Sequence, residues 1–312
     1  MKIIIPTEIN DARLTSTNVA EDNAPDVDPP EWLIGTAYAT DEQVKVTNTT
    51  EPDIHRIYQA VQATTGDEPW LEPDEENPVN WVIVGSTNAW RMFRSEANDI
   101  TINASTIDVT ITPDARITSM AFFQLVASEI QIIVTSVTGG GTVYDETIDL
   151  NSAFGVNSWW TWLWTPLSRK QTLTVFDIPN FKDNIIRVII TGDPNAECGI
   201  FVLGNQKEIG ESQYGLNAGI RDFSVKTTTD FGKVKVVQRG FSDTIQDAVF
   251  LQTNRFDDVK KTLTAIRGIP VVWVSSEDFE ATIVYGFYNR FDPIISNPST
   301  SLCNLKIEGI VQ

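Results

Sequence analysis

The stretch Ile100–Pro113, ITINASTIDVTITP, sets the architecture. Ile100, Ile102 and Ala104 fall on one face of an extended chain and, after a phase slip, Ile107, Val109 and Ile111 follow. Successive side chains on a strand point to opposite faces, so this alternation predicts a strand with a buried side. The same style continues through RITSMAFFQLVASEIQIIVTSV (116–137), TVYDETIDL (142–150), QTLTVFDI (171–178) and NIIRVIITGD (184–193). Turn signals such as Gly139-Gly140-Gly141 separate them. Seven or eight strands without a helical period predict a β-sandwich or jelly roll over residues 85–204.

Residues 205–312 have another character. IRDFSVKTT (220–228) and GKVKVVQRGF (232–241) flank a turn at Asp230-Phe231-Gly232, best accounted for as a type I′ hairpin. One helix follows in RFDDVKKTLTAIRG (255–268). Phe256, Val259, Leu263 and Ile266 recur at helical spacing, Asp257 and Asp258 favour its start, and Gly268 sits just past its end. Strands from PVVWVSS (270–276), ATIVYGFYNRF (281–291) and SLCNLKIEGIV (301–311) close an antiparallel α+β domain. Residues 1–30 end in the acidic, proline-containing AEDNAPDVDPP and read as an extended arm or linker. Residues 31–84 form a small unit with short strands at Val44–Val46, His55–Val61 and Trp81–Val84. The expected fold class is therefore mainly β and multidomain, in keeping with 312 residues, a length that predicts two or three domains.

A net charge of −19 argues against nucleic acid and anionic membranes, since phosphate contacts need clustered Lys and Arg. The start, MKIIIPTEIND, holds only three consecutive apolar residues, too few for a signal-peptide core, and no apolar run approaches the ~18 residues of a spanning helix. The expectation is a protein made in the cytoplasm without membrane insertion. Cys198 and Cys303 lie far apart and predict neither a disulfide framework nor a metal site.

Candidate chemistry is sparse. The single histidine, His55, limits any triad or dyad to one position and reads as a surface or half-buried strand residue. TGGGTV (138–143) lacks the Lys and Ser/Thr of a phosphate loop, and the DFG at Asp230 stands without the other kinase signatures. Acidic runs at Glu21–Asp28 and Glu72–Asn77 read as solvated loops without calcium-loop spacing. No catalytic residue, metal or cofactor is expected.

Aromatic residues remain. Trp32, Tyr38, Tyr58, Trp70 and Trp81 crowd the small unit, where a ring face can stack on the C–H groups of a sugar or form the core of a small module. Trp70, in DEPWLEP (67–73), is the best candidate for an exposed ring. NSWWTWLWTPLSRK (157–170) holds four of the nine tryptophans. Read as a strand, it places Trp160, Trp162 and Trp164 on one face, which predicts a packing or assembly strand covered by the opposite sheet or a neighbouring subunit.

The pattern of Trp32, Gly35, Tyr38, Tyr58, Pro69 and Trp81 resembles small chitin-binding-type carbohydrate modules, with an acidic insertion around Asp74–Asn77. Across nearly the full chain, IHRIYQAV (54–61), VGSTNAWRMF (84–93), SWWTWLWTPL (158–167), ESQYGLNAGIRDFSVKTTTDFG (211–232) and PVVWVSSEDFEATIVYGFYNRF (270–291) are similar to structural tail proteins of tailed bacteriophages. That resemblance implies a virion component at the tail tip or baseplate, with tail proteins and copies of itself as partners and host-surface glycan as a further ligand. It also implies a galactose-binding-like jelly roll opening at NAWRMF (88–93), and a C-terminal split-barrel-like domain with one helix.

Overall fold

The computed structural model describes residues 1–21, 28–47, 54–72, 77–94, 99–152, 158–164, 168–228, 232–294, 297 and 299–310. The chain is mainly β. The N-terminal segment supplies β1 (Lys2–Pro6) and β2 (Leu14–Thr17). The small module holds β3 (Ala37–Tyr38), β4 (Gln43–Val46), β5 (Arg56–Ala60), β6 (Thr64–Thr65) and β7 (Trp81–Ser86). Next come β8 (Thr101–Ile111), β9 (Ser119–Phe123), β10 (Glu129–Ser136), β11 (Gly141–Asp149) and β12 (Asn151–Ser152). Helix α1 (Trp159–Trp164) leads to β13 (Ser168–Arg169), β14 (Leu173–Val175), β15 (Asn184–Cys198), β16 (Ile200–Glu208) and β17 (Glu211–Ser212). The last third has β18 (Asn217–Asp222), β19 (Val225–Thr228), β20 (Val234–Val237) and β21 (Phe241–Gln252). Helix α2 (Phe256–Ala265) precedes β22 (Val271–Val274), β23 (Ile283–Ile294) and β24 (Thr300–Gly309).

The alternation at 100–113 builds one sheet of a sandwich, in the order β11-β10-β15-β8-β2. Its core is a cross-strand grid. Ile107, Ile190 and Ile130 form one row, Val109, Val188 and Ile132 the next, and Ile111, Ile186 and Val134 the third, all fully buried. Each such side chain contributes roughly 1.5–3 kcal/mol by leaving water. The phase slip is present, with Ser105 at positive φ beside a register shift against β15. Before the slip the inward residue is Thr101, whereas Ile102 and Ala104 face outward. The expected apolar face of that half-strand is reversed because Thr101 is the residue that serves the buried polar network, its hydroxyl donating to the Asn88 carbonyl at 2.8 Å.

The opposing layer is one end of a ten-stranded antiparallel sheet, β14-β9-β16-β1-β22-β23-β24-β21-β17, with β18 also on β21. Met120, Phe122, Phe201 and Leu203 meet the grid, while α2 covers the same face farther along through Val259, Leu263 and Ile266. On the other face Phe123 of β9 meets Tyr285 of β23, ring centroids 5.9 Å apart, although three strands separate them. The sheet is therefore curled around Ile4, Val202, Val272 and Tyr285. The helix is where its periodicity places it, with Gly268 left-handed at φ +74° after its end.

Two expectations for the chain's organisation are corrected. The start of the expected arm is not a linker: β1 lies between β16 and β22 in mid-sheet, and Ile3 and Ile4 are fully buried on opposite faces. A three-residue apolar run is enough for a strand covered on both sides. The boundary expected between 204 and 205 falls inside β16, so sandwich and C-terminal domain share one sheet. The small module keeps its own core of Tyr38, Val44, Val46, Tyr58, Ala60 and Trp81.

Candidate interaction surfaces

The module's aromatics divide into two groups. Tyr38, Tyr58 and Trp81 are buried, so they are core and offer no ring face to a sugar. Tyr38 packs edge-on against Trp81 at 5.4 Å, and the Trp81 indole donates to the Asp67 carbonyl at 3.1 Å. Trp32 and Trp70 are half-buried and brought together, edge to face with centroids 5.1 Å apart. Exposed Leu33, Ile34 and Leu71 adjoin them in sequence. Glu72, read as part of a solvated run, accepts the amides of Val79, Asn80 and Trp81 at 3.0–3.1 Å and so ties the end of the Pro69–Leu71 turn, which holds Trp70, to the start of β7. Residues 73–76 of that run lie outside the described residues.

His55 is not an ordinary strand residue. It sits at φ +61° just before β5, with its ring stacked on Trp90. Both ring nitrogens face carboxylates: Nδ1 lies 3.0 Å from each Glu21 oxygen, and Nε2 lies 2.8 Å from Asp11. Burial pulls its pKa down, but the bonds and charges of Glu21 and Asp11 outweigh this and leave it raised. Glu21 also accepts from the Thr87 hydroxyl at 2.5 Å. Nearby, the fully buried carboxylate of Asp28 accepts the Asn88 amide at 3.1 Å and faces Arg91 at 3.4 Å. Burial raises its pKa in spite of Asn88 and Arg91. The acidic run Glu21–Asp28 thus ties the N-terminal segment to module and sandwich through its two ends; residues 22–27 lie outside the described residues. Neither Asp11 nor Glu21 is legible as a partner of His55 from sequence, because 44 and 34 residues separate them.

The tryptophan string is not a covered strand. Trp159–Trp164 form α1, and Trp159, Trp160 and Trp164 are 73%, 66% and 70% exposed. Trp160 and Trp164, one turn apart, touch with centroids 6.0 Å apart. Trp162 lies in the same helix. Six residues fit either a period of 2 or of 3.6, and the deciding signals flank them: Ser158 before, a helix-start residue, and Pro166 after, a helix stop.

Beyond β18 the chain forms an isolated two-stranded ribbon, β19 with β20, every described residue of which is exposed. Directly paired residues share a face, so Val234 and Val236 lie with Thr228 and Lys226 on one side. Val225 and Val237 lie with Thr227 and Lys235 on the other. The expected turn residues Asp230 and Phe231 lie outside the described residues, while Gly232 has φ +76°.

Burial pushes the thiols of Cys198 and Cys303 up to about 12, and among the described residues no group of three or more His, Cys, Asp or Glu is arranged to hold a metal. Among the same residues no helix is long and apolar enough to cross a membrane. The chain matches no family model, no curated protein and no solved structure.

Proposed function

We propose that the chain is a non-enzymatic structural component of a bacteriophage tail, a tail-tip or baseplate adaptor assembling with other tail proteins and copies of itself. The observation that carries the reading is the amount of apolar surface left uncovered on two separate projections, the tryptophan helix and the ribbon. Soluble monomers rarely expose contiguous apolar patches of this kind unless a partner covers them. The phage context rests on the sequence resemblance. Antiserum against the chain, applied to purified tailed-phage particles from its source, tests it: labelling at one end of the tail supports the reading. Abundant chain in lysate with none on washed particles overturns it.

A second reading, adhesion to cell-surface glycan, is favoured by one feature, the half-buried Trp32–Trp70 pair with Leu33, Ile34 and Leu71 beside it. A glycan array with the full chain tests this reading. It requires a signal that Trp70→Ala removes, and a blank array eliminates it.

A further inference from the structure

We propose that the β19–β20 ribbon of one copy docks along the edge strand β11 of a second copy. The inference rests on the structural reading above and names its partner. Residues 223–240, the ribbon and its immediate flanks, carry Lys226, Lys233, Lys235 and Arg239 against Asp230, four positive charges and one negative, or +3. The whole chain is −19, so everything outside that segment sums to −22. The ribbon is the basic projection of an acidic protein, and another copy presents the complementary acidic surface.

A two-stranded ribbon with water on both faces is marginally stable by itself. Val234 and Val236 are 64% and 57% exposed, and an added strand would give them cross-strand neighbours. The five-stranded sheet offers the matching edge. Among the described residues β11 is paired on one side only, with β10, and it is nine residues long. It exposes Asp145, Glu146 and Asp149. Gln131 holds the Asp145 carboxylate at 2.9 Å, and the Tyr144 hydroxyl donates to Glu146, so these charges are fixed in place. Acidic side chains on an open edge repel a second edge of the same kind and admit a basic strand, which gives the contact its direction. Strand addition there would satisfy the free backbone groups of both partners. Because ribbon and edge are different surfaces, the contact is head-to-tail and generates a ring or a filament.

The test uses the full chain. Sedimentation at low salt is expected to show concentration-dependent self-association, at least about tenfold weaker in Lys226→Glu/Lys235→Glu and in Asp145→Lys/Glu146→Lys. Neither pair is buried, and an unchanged circular dichroism melt confirms that both variants fold. Mixed one to one, the two variants carry an acidic ribbon and a basic edge between them and are expected to re-associate. Carbodiimide cross-linking of wild type should join Lys226 or Lys235 to Asp145 or Glu146 between copies. A wild-type monomer at every concentration, self-association indifferent to both reversals, or a mixture that stays monomeric overturns the docking. Those results leave the tail reading to the particle labelling, which decides it independently.

Discussion

The imidazole of His55 lies on the indole of Trp90, centroids 4.5 Å apart and planes 19° from parallel. Glu21 and Asp11 close on its two nitrogens, so three distant segments meet at one ring. Because both nitrogens face acceptors, the doubly protonated ring is the form that fits, and its pKa is raised. The sign follows: the stabilisation is fully present below the unfolded value, about 6.5, and is lost as pH rises through the higher folded value. His55→Gln is expected to cost about 1.5–3 kcal/mol in acid, the range for hydrogen bonds to charged groups, and progressively less as pH rises. Melting temperatures of both proteins across pH 5–9 check this, and a constant difference between them contradicts it.

Ile4 separates a central strand from a linker. Fully buried in one cluster with Val202 and Val272, it is expected to cost about 2–5 kcal/mol as Ile4→Ala. A residue in a solvated arm would cost almost nothing. Denaturant unfolding with an unchanged slope distinguishes the two.

Two tryptophans should behave oppositely. Trp81→Ala empties the centre of the small module and is expected to cost about 3–5 kcal/mol, with exchange protection lost in β4, β5 and β7 before the sandwich. Trp160→Ser, on an exposed helix face, should alter stability by no more than about 0.5 kcal/mol. Hydrogen exchange and melting on the same samples read both effects.

The thiols report on core integrity. With Cys198 in the sandwich core and Cys303 beneath α2, both pushed up to about 12 by burial, neither should react with a thiol reagent at neutral pH in the native chain. Both should react in denaturant. Fast native labelling of either would contradict the packing described.

Much of the fold was written in local pattern. The alternation through Ile107, Val109 and Ile111 and the 3.6-residue recurrence of Val259, Leu263 and Ile266 each name a buried face from neighbours within one element, and the structure buries those faces. The module's short strands and the C-terminal antiparallel strands were legible for the same reason.

Tertiary structure decided what local pattern leaves open. Whether KIII (2–5) is an arm or the middle of a sheet depends on β16 and β22, some two hundred residues away. Whether the rings of WWTWLW (159–164) are covered depends on packing: Ser158 and Pro166 mark a helix locally, but only the fold shows that Trp159, Trp160 and Trp164 stay exposed. Which of the five module aromatics keep an accessible face was settled by packing, which closed over Tyr38, Tyr58 and Trp81 and left Trp32 and Trp70 at the rim. The chain's own letters determined its acidic charge, its strands and its one long helix. Burial and pairing between distant segments, which no local window contains, determined which of its apolar residues hold the fold and which remain for a partner.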